Sequence, residues 1–281
     1  MWVFYLLAAL VLVQSALSLR GGFRFLAFVR REARARREPY APFASVFVPC
    51  RGVDQGLDAN LSALFAQDYP AYEIVFVSDR ADDPALAVAE SARAAAEAAG
   101  VISRVRFVAA GEARGRGQKV HNLLAAVREA DAASQVFVFM DTDARPPREW
   151  LRSLVAPLAD ERVGAATGYR WFLPARGGLA SHLRSVWNAS IASALGPDVR
   201  RNFCWGGSTA VRRSTFDRLR MTERWHGALS DDYALTRALH DAGLPVRFVP
   251  SCLVPSIEDC TPRELFEFTT RQIKITRVYA P

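Results

Sequence analysis

The segment Gln135-Val136-Phe137-Val138-Phe139-Met140-Asp141-Thr142-Asp143 decides the reading of the chain. Its apolar residues, mostly β-branched or aromatic, have the look of a strand buried on both faces, as in a parallel sheet. The strand then runs directly into two carboxylates. Working outward, Ser45–Val48, Glu73–Val77 and Arg104–Val108 are compact runs of the same kind. Between them Leu57–Gln67, Pro84–Ala99 and Val120–Glu129 are each long enough for a crossover helix. This alternation predicts an α/β fold with a mostly parallel, Rossmann-like sheet and right-handed crossovers. Beyond Asp143 the pattern loosens. It predicts a helix near Arg148–Leu158, a strand near Gly164–Tyr169, a helix near Leu179–Ala194 and a glycine-containing segment Cys204–Val211. A helix over Asp232–Ala242, a strand over Val246–Val249 and an amphipathic helix over Pro262–Arg277 complete it.

Composition excludes some classes. With 281 residues, 51% hydrophobic and 23% charged, the chain has the means for a packed core and is not a disordered polymer. The net charge of +7 rests on 34 arginines and only two lysines, Lys119 and Lys274. Seven of those arginines (Arg20, Arg24, Arg30, Arg31, Arg34, Arg36 and Arg37) lie between Arg20 and Glu38, against two glutamates. The remainder is close to neutral, so net charge implies no nucleic-acid partner. The basic run follows an apolar segment, Met1–Leu19, whose only polar residues are Gln14, Ser15 and Ser18. As a helix that segment would span roughly 28 Å, close to a bilayer core. A cleaved signal peptide would want its basic residues first. Here they come after, which predicts an uncleaved anchor (1–19), a basic juxtamembrane linker (20–42) and a cytoplasmic domain (43–281) at the cell membrane. Cys50, Cys204, Cys252 and Cys260 form no CxxC pair and are expected to be plain thiols. For the same topological reason the Asn188-Ala189-Ser190 sequon carries no glycosylation meaning.

Ligands of open α/β sheets sit beyond the carboxyl ends of the strands. Three such ends carry polar clusters: Pro49-Cys50-Arg51-Gly52, Ser78-Asp79-Arg80 and Asp141-Thr142-Asp143. Carboxylates at i and i+2 leaving a buried strand can turn toward one hard divalent cation that itself bridges phosphate oxygens, although acidic turns are also common. Asp79 reads equally as a helix cap or as an acceptor for a nucleoside. Gly111–Lys119 is a Gly- and Arg-rich loop leading into a helix, suited to phosphate, but lacks the Walker pattern. Trp205-Gly206-Gly207-Ser208 permits close backbone approach. Ser230-Asp231-Asp232 is an N-cap with two acids in the first turn, or else holds a general base. Arg271, Lys274 and Arg277 recur at helical spacing among apolar residues, as on a membrane-surface helix or a diphosphate clamp.

Assembled in order, these clusters resemble a processive or lipid-directed family 2 glycosyltransferase of the glycosyltransferase A fold, and especially the ceramide glucosyltransferase group with its bacterial relatives. The resemblance runs from about Phe43 to the C-terminus. Val77-Ser78-Asp79-Arg80-Ala81-Asp82-Asp83-Pro84 is similar to that group's first aspartate motif, and Gln118-Lys119-Val120-His121-Asn122-Leu123 to its PKxNNL-like segment. Asp141-Thr142-Asp143 resembles its DxD, Ser230-Asp231-Asp232-Tyr233 its (E/D)D motif, and Arg271-Gln272-Ile273-Lys274-Ile275 falls where (Q/R)xxRW belongs. Lys274 stands for the motif's Arg and Ile275 for its Trp. The chain ends at Pro281, where relatives continue into membrane helices, so the sequence is expected to be incomplete.

The resemblance implies an inverting transfer of glucose or a related hexose from a UDP-linked nucleotide sugar to a lipid hydroxyl. Asp79 would meet the nucleoside, Lys119 the nucleotide, and Asp141 and Asp143 the nucleotide and its Mg²⁺ or Mn²⁺. Asp232 would be the base, while Arg271 and Lys274 would clamp the diphosphate. The nucleotide-sugar half would cover about 43–143 and the acceptor half about 144–281. Three alternatives stand beside this: a polysaccharide-synthase-type transferase with a glycan acceptor, a metal-dependent phosphohydrolase of the haloacid-dehalogenase type, and a catalytically silent nucleotide-sugar-binding membrane module. The phosphohydrolase would usually carry its Asp after the first strand of its core domain, whereas here the pair follows the fourth.

Overall fold

The computed structural model describes residues 1–35, 39–101 and 104–279. The chain forms two compact units, Met1–Arg36 and Arg37–Pro281. The first is one helix, α1 (Trp2–Arg34). By length and composition it could cross a membrane, with a mean hydropathy of 2.0 over its most apolar 18 residues. It does not stop at Leu19: the first part of the expected linker continues the helix to Arg34, while Arg36, Arg37 and Glu38 lie outside the described residues.

The second unit is built on a seven-stranded sheet. In chain order its elements are β1 (Ala44–Pro49), α2 (Leu57–Phe65), β2 (Tyr72–Ser78), α3 (Pro84–Ala98), β3 (Arg104–Ala109), α4 (Gln118–Arg128) and β4 (Val136–Met140). There follow α5 (Trp150–Val155), β5 (Ala165–Leu173), α6 (Leu179–Ala192), β6 (Ser208–Arg212), α7 (Arg213–Arg218), α8 (Met221–Arg224), α9 (Asp231–Asp241), β7 (Val246–Ile257) and α10 (Pro262–Tyr279). The strand order is β3-β2-β1-β4-β6-β5-β7. Strands β1 to β4 are mutually parallel, β6 runs antiparallel to both β4 and β5, and β7 is parallel to β5. Six strands therefore point one way, and the reversed β6 brings its N-terminus to the edge where the others end.

The Val-, Ile- and Phe-rich strands β1, β2 and β4 are buried because helices cover both faces. Phe47, Phe137, Phe139, Phe216 and Trp225 pack edge-on or tilted beneath that edge, with centroids 5.2 Å apart for Phe47–Phe137 and 5.6 Å for Phe139–Trp225. This aromatic block is a firm floor for the loops above it. Two expectations change. The segment Cys204–Val211 contains a strand, β6, and the strand begun at Val246 runs on to Ile257 through Pro250 and Pro255. The second is possible because β7 is an edge strand pairing only with β5, where a missing N–H faces no partner. The register of β5 on β7 is broken between Thr167 and Tyr169, at Gly168. Four residues of β7 (249–252) bulge opposite it, and a Cβ on Gly168 would run into the Cys252 carbonyl, so only glycine fits there.

Candidate functional site

Two helix N-termini meet at the carboxyl edge of the sheet. Gly117, preceding α4, donates its N–H to the Ala228 carbonyl at 2.9 Å, and a Cβ on it would stand 2.7 Å from the Leu229 carbonyl oxygen. That close approach sets the first turn of α4 against the first turn of α9. Ser230 caps α9 by accepting from Tyr233 N–H, as its sequence predicts, and the Trp225 indole donates to the Asp231 carbonyl at 3.2 Å. Gln118 pins the preceding loop: its side chain accepts from Ala113 N–H at 2.8 Å and donates to the Gly111 carbonyl at 2.9 Å.

The result is a charge cluster centred on Lys119. Its ammonium lies 2.7 Å from Asp141 and 3.5 Å from Asp231. Asp143, two residues on, is paired with Arg170 from β5. Asp232 accepts from Gly206 N–H at 3.2 Å, from Tyr233 N–H at 2.8 Å and from the Ser230 hydroxyl. The Gly206-Gly207 pair has a steric reason. A Cβ on Gly206 would stand 2.5 Å from the Asp231 carboxylate and 2.8 Å from the Lys119 ammonium, and one on Gly207 would strike the Trp205 ring.

Burial and like charge set the electrostatics. Burial pushes the Asp231 carboxyl up, Lys119 pulls it back, and Asp232 and Asp141 push again, leaving it at about 6. Burial also works to raise Asp141, but Lys119, with Arg170 and Arg271 farther out, holds it below the usual carboxylate range. Desolvation works against the charge of Lys119, but Asp141, Asp231 and Asp232 outweigh it and the ammonium is held well above the ordinary lysine range.

Besides an acidic hollow of about 470 Å³ beside Asp143, Arg170 and Arg271, walled by Glu258, Asp259, Glu264 and Glu267, three hollows open on Lys119 or Asp232. One of about 330 Å³ lies over β1 and β4 between Arg51, Asp54, Lys119, Asn122, Asp141 and Asp143. A second, about 320 Å³, continues from Lys119, Asp141 and Asp143 to Arg170, Asp232 and Arg271. A third, about 880 Å³, is walled mainly by apolar surface, including Tyr169, Trp187, Ile191, Phe203, Trp205 and Ile273, and has Asp232 in its wall. Helix α10 is held against α9 by stacking of Tyr279 on Tyr233, by a 2.8 Å hydrogen bond between the Tyr233 and Thr276 hydroxyls, and by the Tyr279 hydroxyl accepting from Leu229 N–H at 2.7 Å.

Of the residues singled out in the sequence, Lys119, Asp141, Asp143, Asp232 and Arg271 share the second hollow. Lys274 is exposed and lines none of the three, whereas Ile275 does face the second. Asp79 ends β2 on the same edge, accepts from the Ser78 hydroxyl at 3.1 Å and lines none of the three. It does not cap α3. Asp83 does so, buried and accepting from Ala85 N–H, Gly52 N–H and the Ser78 hydroxyl, each at 2.9 Å. The signal for that cap was an Asp directly before Pro84 at the helix start. Arg170 was missed, because one more Arg in an alternating strand has no local signature. Asn188 of the sequon is buried and donates to the Arg170 carbonyl at 2.9 Å, so it is not accessible to a modifying enzyme. All four cysteines lie among the described residues and none is in a disulfide.

The donor set suits a hard cation. One oxygen of Asp143 is buried without a hydrogen-bond partner, and the neighbouring Asp54 carboxyl is raised first by burial and then by Asp143. Among the described residues no cluster of three or more His, Cys, Asp or Glu forms a complete cage. Any cation at Asp141 and Asp143 would have to complete its shell with oxygens from outside these side chains, water or phosphate.

The fold is shared with glycosyltransferases. The mannosyltransferase PcManGT of Pyrobaculum calidifontis, solved with GDP-Man and Mn²⁺, superposes with a TM-score of 0.60 at 22% identity, over 92% of this chain and 70% of that one. Glucosyl-3-phosphoglycerate synthase of Mycobacterium tuberculosis, solved with Mn²⁺ and UDP-glucose, gives 0.50 at 16% identity over 89% and 81%. Ceramide glucosyltransferase 1 of Caenorhabditis elegans is 23% identical over 266 residues, 92% of this chain. The chain spans about half (54%) of that relative's length. The sequence profile of glycosyl transferase family 21 matches residues 3–281, nearly end to end, and the chain belongs to that family.

Proposed function

We propose that the chain is a membrane-anchored, inverting glycosyltransferase that moves a hexose, glucose or a close relative, from a UDP-sugar to a lipid hydroxyl. One observation carries this reading: Asp232 stands in the wall of both the polar hollow that contains Asp141 and Asp143 and the large apolar one. A base at that junction can reach an acceptor hydroxyl on the apolar side and a sugar on the polar side. The similarity to a ceramide glucosyltransferase supports a lipid in the apolar hollow. The apolar first part of α1, with arginines along the rest of the same helix, supports an anchor with the catalytic unit on the cytoplasmic side.

Each residue then has a task. Asp79 and Lys119 serve the nucleotide. Asp141 and Asp143 would hold a divalent cation, Mg²⁺ or Mn²⁺, whose chemistry when bound would be to neutralise charge on the diphosphate. Asp232, oriented by Ser230, Gly206 and its own helix N-terminus, takes the proton of the acceptor hydroxyl as that oxygen bonds to the anomeric carbon and the sugar–phosphate bond breaks. Arg271 attends the diphosphate from α10.

The test is the full chain reconstituted in vesicles containing ceramide, supplied with radiolabelled UDP-glucose and Mn²⁺. A labelled glycolipid is expected, and Asp232→Asn should retain UDP binding while lowering transfer by about 10²–10⁴-fold. Label released only as free sugar, or no lipid product from ceramide, diacylglycerol and a whole bacterial lipid extract alike, would refute the reading.

A further inference from the structure

We propose that Arg170 is a diphosphate-binding residue of this chain and supplies the guanidinium that its C-terminal motif lacks. The inference rests on the nucleotide-sugar reading above. The motif on α10 offers Arg271 to the polar hollow, but its second cation, Lys274, is exposed and lies outside it. A single guanidinium would then face a leaving group that gains charge in the transition state.

Arg170 is built to be the second. Its side chain is only 12% exposed, and it makes an ion pair with Asp143. Its guanidinium lies 4.9 Å from the Phe172 ring centre, 5.3 Å from that of Trp205 and 5.9 Å from that of Phe268. Three rings leave a planar fork few orientations, which removes much of the entropy an arginine would otherwise lose on gripping a ligand. The guanidinium of Arg271 also lies 5.9 Å from the Phe268 centre, so both arginines are set around one ring and both line the polar hollow. The backbone is shaped for this as well. Four residues of β7 (249–252) bulge opposite Gly168, where β5 runs on without insertion, so the irregular strand lies directly beside the stretch of β5 that carries Arg170. Asn188 anchors the Arg170 carbonyl. Phosphate oxygens that a divalent cation would hold at the Asp141–Asp143 pair would come within reach of the guanidinium already paired with Asp143. A guanidinium there can bind two of them at once, which an ammonium cannot.

A purely structural ion pair would have the same geometry but no preference for a second phosphate. Calorimetric titration of the full chain in detergent, with Mn²⁺ present, against UDP and against UMP separates the two roles. Arg170→Gln should weaken UDP binding by about tenfold or more and UMP binding by less than about threefold. Arg170→Lys keeps the charge beside Asp143 and guards against a folding defect. It should still lose at least about threefold for UDP and leave UMP unchanged. UDP affinity that survives in Arg170→Lys and Arg170→Gln, or UDP and UMP affinities that fall together, overturns the proposal while leaving the transfer reading intact. So does a loss of UDP binding in Lys274→Gln that Arg170→Gln does not share. A wild-type chain that binds no nucleoside diphosphate overturns both.

Discussion

Asp231→Asn tests the electrostatics of the site through stability. The Asp231 carboxyl is buried, and its pKa stands at about 6 against an ordinary 3.8. At about 1.36 kcal/mol per unit, ionising it in the folded protein costs about 3 kcal/mol more than ionising it in the unfolded chain. The sign follows from proton counts. Between pH 3.8 and about 6 the folded state holds more protons at this position than the unfolded state, so stability from this group falls as pH rises through that window. Above about pH 6 the loss is complete and constant. Asparagine preserves the shape and cannot ionise, and Lys119 retains Asp141 at 2.7 Å, so the substitution leaves no unpaired buried cation. Asp231→Asn should therefore match the wild type near pH 4 and exceed it at pH 7.5 by up to about 3 kcal/mol. At about 2–4 °C per kcal/mol for a domain of this size, that is a gain of several degrees in Tm. Thermal unfolding of the detergent-solubilised full chain at a series of pH values measures it. A Tm difference that stays flat from pH 4 to 7.5, or a variant less stable at the upper end, refutes the account of Asp231 as a strained, buried acid.

Gly206→Ala should collide with the Asp231–Lys119 pair, cost about 1–3 kcal/mol and weaken nucleotide binding, both readable in one ligand-dependent thermal shift experiment. Gly168→Ala drives a methyl into the Cys252 carbonyl, backbone against backbone; Tm should fall sharply, and an unchanged Tm would mean that the bulge is not rigid. Asp143→Asn, or chelation of divalent metal, should reduce UDP affinity more than uridine affinity, because a cation at this pair acts through phosphates; equal losses would contradict the cation site. Tyr279→Phe removes the acceptor for Leu229 N–H and should loosen the end of α10, visible as faster amide exchange around Leu229 and Ser230.

The parallel half of the fold was legible because burial on both faces forces a continuous apolar run, as in Val136–Met140, and because the helices between these strands are ordinary crossovers. Strand β6 was less legible. Ser208-Thr209-Ala210-Val211-Arg212 is short and half polar, and its direction depends on neighbours far away in sequence, which no local pattern encodes. The two prolines of β7 would argue against a strand anywhere but an edge, and edge position is a property of the whole sheet. In the site, Lys119, Asp141, Asp143 and Asp232 announce themselves because strand ends and helix starts are recognisable locally. Arg170 depends on three rings from three separate segments, Phe172, Trp205 and Phe268. Lys274 failed to reach the hollow for a related reason: spacing along a helix gives the faces, but the neighbour that packs on α10 decides which face looks inward.

Helix α10 has one further consequence. Gln272 belongs to the walls of both the polar and the apolar hollow, flanked by Arg271 and Ile275 on the polar side and by Ile273 and Thr276 on the apolar side. It is a party wall between two chambers. Any small shift of this helix changes both at once, so an occupant that favours one setting of the wall alters the hold on the other occupant by the same factor in either direction. If the two chambers hold donor and acceptor as proposed, the affinity for each depends on the position of this single helix, and the residues that fix it, such as Tyr279 in the apolar wall, become places where that coupling can be tuned.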